Sequence, residues 1–434
     1  MPAWRTRGHP AALASVARAV AARTPPQSLL IVGPEGAGKT TLALDLAAGL
    51  LCAEDDPTAR PCGRCTSCRK VAHGNHPDLH RLAPQGAGRA IRIGAQTNPE
   101  PGTARSLIHE LAFAPMEGAF RVAVVEGASR MNQEAQNALL KTLEEPPPGS
   151  CLILCADDEE ALLPTVRSRC ARLRIGRVPR ADVAAILGES GLADPARASA
   201  IARIADGRPG RAIAFARAPE AMLGRDRIAR ELLDLADAGP EARLAAARGL
   251  IAAADDVESA IESAMGSAIE RPMAADGARD GLEPASAAAR RTRPARGSDA
   301  GPEAVDSRAA PAARRRAVLS LGSTWRGLAR DLAVARRGGR AELREVELLE
   351  EITELAGRFG DAEIERFLDL LDRYLAAVDM NANPELVADV LLLSWPRPDR
   401  GPDTPRGYPA RPRRAEAGPR HPAAQSVPPG GGPR

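Results

Sequence analysis

Two clusters in the first seventy residues have the types and spacing to do chemistry. The first is Gly33-Pro-Glu-Gly-Ala-Gly-Lys-Thr40, a GxxxxGKT pattern. Glycines at Gly33, Gly36 and Gly38 let successive backbone N–H groups wrap a phosphate chain. Lys39 sets a compact charge on the β- and γ-phosphates, and the Thr40 hydroxyl, with Thr41 beside it, reaches toward a magnesium ion. The second cluster is Cys52 with Cys62-x2-Cys65-x2-Cys68. Four thiolates at this spacing suit a closed tetrahedral zinc site, and the Asp/Pro/Arg-rich stretch between Cys52 and Cys62 leaves room for the turn. His73, His76 and His80 follow as competing ligands, but four cysteines already fill the shell, so the metal would be structural. The plainer reading is four reduced, unrelated thiols. Cys151, Cys155 and Cys170 lie on strand patterns and read as small core residues.

A site that hydrolyses a nucleotide also needs an acid at the end of a neighbouring strand, with a second acid to activate water. Val122-Ala-Val-Val-Glu126 ends in this way, but Gly127 occupies the second place and cannot act as a base. The expectation is a site that binds ATP with magnesium and hydrolyses it poorly, with Glu126 touching the metal through water. Ser168-Arg169-Cys170 stands where ring ATPases place an arginine that stabilises charge on a neighbour's γ-phosphate. Taken alone, an arginine there is a surface charge.

These residues need a scaffold, and the surrounding pattern supplies one. Ser28–Val32 is a short apolar run that stops at Gly33, as a buried parallel strand does, and a helix opens at about Lys39 with Leu42, Leu46 and Leu50 one turn apart. Val122–Val125, Cys151–Cys155 and the alternating Ala171, Leu173 and Ile175 read as further strands. Asn132 caps a helix that Pro146-Pro-Pro148 stops. Strands alternating with helices predict a three-layer α/β domain with a parallel sheet over residues 1–176. Beyond it the pattern is helical over 177–216, 217–270 and 317–396. Residues 271–316 are nearly free of large apolar side chains and read as a disordered insert.

Composition bounds the function. The 434 residues carry 59 basic and 56 acidic side chains, a net of +3, and suggest roughly three domains at about 150 residues each. Only Lys39, Lys70 and Lys141 are lysines. Residues 397–434 hold eight arginines, three acids and ten prolines, a disordered basic tail that leaves the remainder slightly acidic. The net charge is therefore no sign of DNA binding by the domains. Aromatic content of 2% argues against stacking on single strands. No apolar run of about 18 residues is present, so no membrane partner is expected. The first residues lack a secretory pattern, and a cytoplasmic setting is expected.

Taken together, the motifs resemble the AAA+ clamp-loader family of bacterial DNA polymerase III. The resemblance rests on Gly8-His9, the phosphate loop, the four cysteines and His76-Pro-Asp78. It rests also on Asn137-Ala-Leu-Leu-Lys-Thr-Leu-Glu-Glu-Pro-Pro147, Ser168-Arg-Cys170 and Asn381-Ala-Asn-Pro384. It implies a RecA-like nucleotide-binding domain with a zinc module, a small helical lid and an all-α collar that joins five subunits. It implies that Arg169 completes the ATP site of an adjacent gamma/tau subunit, and that Arg211 is the lid arginine near the nucleotide. The partners implied are gamma/tau and delta subunits, the sliding clamp, and primer–template DNA held by the assembled ring, as part of the DNA polymerase III holoenzyme. Glu126-Gly127 and Cys155-Ala-Asp157 depart from the hydrolysing members and favour a stator subunit. The intact loop favours a hydrolysing gamma/tau-type motor, and an unrelated phosphate-loop module is a third reading.

Overall fold

The apolar runs are buried at nearly every position, and this burial on both faces places them at the centre of the sheet. The computed structural model describes residues 2–85, 90–270, 303–380 and 382–397. Most of the expected insert and nearly all of the expected tail lie outside these residues. The strands are β1 (Ser28–Val32), β2 (Leu79–Leu82), β3 (Arg121–Val125), β4 (Ser150–Ala156) and β5 (Ala171–Arg174), all parallel, in the order β2-β3-β4-β1-β5. Helices α1 (Pro10–Ala22), α2 (Lys39–Leu51), α3 (Thr66–Ala72), α4 (Ala104–Leu111), α5 (Gln133–Glu144) and α6 (Pro164–Arg167) complete the domain.

Successive side chains of a strand point to opposite faces, and both faces of the central strands are covered. Leu29, Ile31, Val122, Val124, Cys151, Ile153 and Cys155 pack on the side of α1 and α2. Leu30, Ala123, Val125, Leu152 and Leu154 pack on the other side with Leu107 and Leu111 of α4 and Leu139 and Leu143 of α5. This is why these strands read as unbroken apolar runs. Edge strand β2, with the sequence Leu-His-Arg-Leu, carries no such run and was not expected from the sequence.

The remaining helices are α7 (Arg180–Glu189), α8 (Pro195–Ile204), α9 (Pro209–Arg217), α10 (Pro219–Asp234), α11 (Pro240–Glu270), α12 (Glu303–Arg336), α13 (Leu349–Ala356), α14 (Asp361–Asp379) and α15 (Pro384–Ser394). Their apolar faces share one core, from Val178 to Trp395, centred on Trp325, Phe367 and Trp395. Helix α12 begins at Glu303, so residues 303–316 are helical where the sequence predicted the end of the insert. Alanine and arginine there favour helix without forming an apolar stripe, so periodicity could not show it.

Candidate nucleotide and metal sites

Register sets the first site. Val32 pairs with Ala156, and Gly33 N donates to Ala156 O at 3.2 Å, so the chain leaving β1 runs beside the chain leaving β4. A Cβ at Gly33 would lie 2.4 Å from the Ile175 carbonyl oxygen, which leaves room only for glycine. Gly38, with φ of 103°, turns the chain through the left-handed region into α2. No side chain caps that helix, so its first N–H groups are free to meet an anion, and Thr40 and Thr41 stand half-buried on its opening turn. His9 Nε2 lies 2.8 Å from Ala37 O, which ties the Gly8-His9 segment to the loop.

Lys39 is buried beneath this loop. Its Nζ donates to Gly33 O and Pro34 O, each at 2.8 Å, and lies 2.5 Å from Asp157 Oδ1. Glu126 follows β3, and its backbone N donates to Leu82 O at 2.7 Å. Its Oε1 accepts from Arg81 Nε at 2.9 Å and Nη2 at 2.6 Å. The acid expected near the metal is therefore bound by an arginine of β2, and sequence reading missed Arg81 because it missed that strand.

The lid meets the loop through backbone. Gly210 N donates to Gly36 O at 2.8 Å, and a Cβ at Gly36 would lie 3.3 Å from Arg211 N. The Arg211 guanidinium turns instead to Glu258 of α11, at 2.8 Å, and lies over the Phe215 ring. Arg211 thus sits beside the phosphate loop by its backbone while its guanidinium is engaged with α11. The reason is local: Glu258, which also accepts from Ser320 Oγ at 2.6 Å, offers a partner fixed between two helices. Arg208, one turn earlier, is pushed down to about 10 by burial, with Arg211 and Arg177 adding repulsion.

Arg169 lies in the turn between α6 and β5. Val166 and Cys170 are buried on either side of it, so Arg169 is left facing outward. Its Nη2 lies 2.6 Å from Glu144 Oε1 at the end of α5, and Nη1 donates to Thr165 O at 2.9 Å. The buried Gln136 side chain clips this region to α5: Oε1 accepts from Leu163 N at 2.7 Å, and Nε2 donates to Met131 O and Ala161 O. The helix motif 137–147 and Ser168-Arg169-Cys170 are thus parts of one assembly.

The sulfurs of Cys52, Cys62, Cys65 and Cys68 all lie within 4.8 Å of one another. A tetrahedral shell with metal–sulfur bonds of about 2.3 Å needs sulfurs about 3.8 Å apart, and Cys52 and Cys65 are 3.9 Å apart. Backbone N–H groups of Glu54 and Cys62 donate to Cys52, that of Cys65 to Cys62, and that of Cys68 to Cys65. Burial opposes ionisation at Cys62, but the N–H groups of Arg64 and Cys65 outweigh it and hold this thiol at about 7. Burial pushes Cys52 and Cys68 upward. Such a set has the donors to hold a metal ion, and would give up protons on binding one. The histidines are engaged elsewhere: His73 Nδ1 with Arg69 O, His80 with Glu110 at 2.9 Å, and His76 buried beside Asp78, whose N donates to His76 Nδ1.

A parallel five-stranded sheet with a phosphate loop after its first strand and a cysteine cluster at its flank defines a phosphate-loop α/β domain, followed by a helical region. Residues 8–179 match a family described as "DNA polymerase III, delta subunit". The chain is 38% identical to the DNA polymerase III subunit delta' of Pseudomonas aeruginosa over 143 residues, 33% of this chain and 41% of that protein. It is 34% identical to the DNA polymerase III subunit tau of Escherichia coli over 183 residues, 41% of this chain and 27% of that protein. A DNA polymerase III gamma subunit-related protein of Thermotoga maritima is similar at a TM-score of 0.40 and 16% identity, over 88% of this chain and 98% of that one. The chain thus spans about two-fifths or less of the length of these curated relatives. Over residues 8–179 the chain is similar to the delta, delta' and tau subunits of DNA polymerase III. Among the described residues no helix is long and apolar enough to cross a membrane.

Proposed function

We propose that this chain is the stator of a DNA polymerase III clamp loader, a delta-prime subunit. It joins gamma/tau and delta subunits in a ring of five in the cytoplasm and helps to load the sliding clamp onto primed DNA. Its phosphate loop, Gly33, Gly36, Gly38, Lys39, Thr40 and Thr41, binds a nucleotide phosphate chain without turning it over. Arg169 acts in trans on the neighbouring gamma/tau subunit's ATP. Cys52, Cys62, Cys65 and Cys68 hold a structural zinc ion. The observation that carries the reading is the bound state of Glu126: Arg81 covers its carboxylate, and Gly127 offers no base behind it. Purified chain, assayed with primed DNA and clamp, is expected to show no steady ATP turnover; turnover by the chain alone would overturn the stator.

A second reading, an ATP-hydrolysing gamma/tau-type motor, is favoured by the intact loop and by the likeness to the tau subunit. It requires Glu126 to leave Arg81 and water to be activated without an acid at position 127. The same turnover assay separates the two.

A further inference from the structure

We infer that Asp157 sets the nucleotide preference of the phosphate loop, holding the place of a γ-phosphate at Lys39 so that the loop takes a nucleoside diphosphate over a triphosphate. The inference rests on the loop being a nucleotide site, as proposed above, and not on assembly into a ring. An ammonium group has three hydrogens to donate. Those of Lys39 meet three protein acceptors, Gly33 O, Pro34 O and Asp157 Oδ1, and the shortest contact is the carboxylate at 2.5 Å. The ion pair is secluded, with side-chain exposures of 8% and 31%.

Sheet register holds Asp157 in this place. β4 ends at the buried Ala156, which pairs with Val32 and accepts from Gly33 N, so the next residue emerges beside the loop. The lysine of such a loop serves the β- and γ-phosphates. A diphosphate brings only its β-phosphate to Lys39 and can otherwise use the loop N–H groups and the opening turn of α2, so Lys39 keeps its pairing with Asp157. A triphosphate must bring further negative charge to the same ammonium, against a carboxylate already there, in a partly water-excluded site where charges interact strongly. Two further contacts anchor the loop: His9 Nε2 meets Ala37 O, and Gly210 N donates to Gly36 O.

The test is equilibrium titration of the full-length protein with the fluorescent nucleotides mant-ATP and mant-ADP in the presence of magnesium. Wild type is expected to bind mant-ADP more tightly than mant-ATP. Asp157→Asn removes the charge and is expected to tighten mant-ATP about 10- to 100-fold, with a smaller gain for mant-ADP. Asp157→Glu keeps the charge and is expected to give no such gain; Asp157→Thr replaces the amide variant if that one melts below wild type. Equal wild-type affinities left unchanged by Asp157→Asn would overturn the assignment, as would an equal gain in Asp157→Glu. Absence of binding in every variant would overturn it too. Turnover of ATP by wild type alone would instead remove the stator reading and leave the binding result standing.

Discussion

Arg169 shows what a single residue can keep in reserve. Its guanidinium rests on Glu144, and both side chains are substantially exposed, at 35% and 50%. An exposed pair of this kind contributes about 0–1 kcal/mol, so a stronger anion on a neighbouring subunit can draw the arginine away. The buried Val166 and Cys170 hold the turn itself in place meanwhile. Arg169→Ala in an assembled loader is therefore expected to lower ATP hydrolysis at the one neighbouring gamma/tau site by about 10³- to 10⁵-fold, the usual contribution of an arginine finger. The melting temperature of the isolated chain should stay as it was. An unchanged loader ATPase would sink the role in trans. Residues of this kind stand out because their motifs are short and local: Lys39 lies in GxxxxGKT and the four cysteines in a metal-ligand spacing, while Arg169 stands out only through the resemblance. Their partners do not. Arg81, Glu144 and the pairing of Asp157 with Lys39 depend on which strands and helices lie side by side, and that information is not in the spacing.

Elements were readable to the degree that burial gave them a period. β1, β3 and β4 are covered on both faces, and their sequences show it; β2 at the sheet edge needs only Leu79 and Leu82 inside, too little to register. Helix ends follow the same rule: Asn132 Oδ1 accepts from Ala135 N at 2.9 Å, as its residue type promised. Arg243 gave no such signal, being one arginine among many. It is fully buried and joins two helix ends: Nε donates to Leu235 O and Nη2 to Ala236 O beyond α10, while Nη1 donates to Trp395 O beyond α15. A cation suits the carbonyl-rich ends of two helices. Arg243→Met keeps much of the volume and strands these carbonyls, each worth about 1–3 kcal/mol when buried without a partner. A loss of about 3 kcal/mol or more is expected in urea denaturation followed by tryptophan fluorescence. A loss under about 1 kcal/mol would mean that water reaches those carbonyls instead.

At the scale of the whole molecule, the apolar interior is divided. The two faces of the sheet form their own clusters, and α7 to α15 share a third. The cysteine module belongs to the sheet side, where Val71 of α3 joins the cluster of α1 and α2 and Ala3 N donates to Pro61 O at 2.6 Å. Trp325 and Trp395 are buried in the helical cluster, whereas Trp4 packs at the edge of the sheet-side cluster. Intrinsic fluorescence in a Trp4→Phe background therefore reports the helical region alone, while far-ultraviolet circular dichroism reports both. A ligand bound only by the folded state stabilises it by about 4 kcal/mol at a thousand times its Kd, so removing a structural zinc ion withdraws stability from the domain that holds it. The purified protein is expected to carry one zinc ion per chain, and Cys65→Ser is expected to lose it. Chelation, or the same substitution, should then lower the melting temperature of the sheet domain by circular dichroism while the fluorescence transition of Trp325 and Trp395 keeps its midpoint. Purified wild type without metal would remove the zinc ion. A fluorescence midpoint that falls together with the circular dichroism would mean that the separate interiors unfold as one, with the contacts between Gly36 and Gly210 and along the lid carrying the coupling.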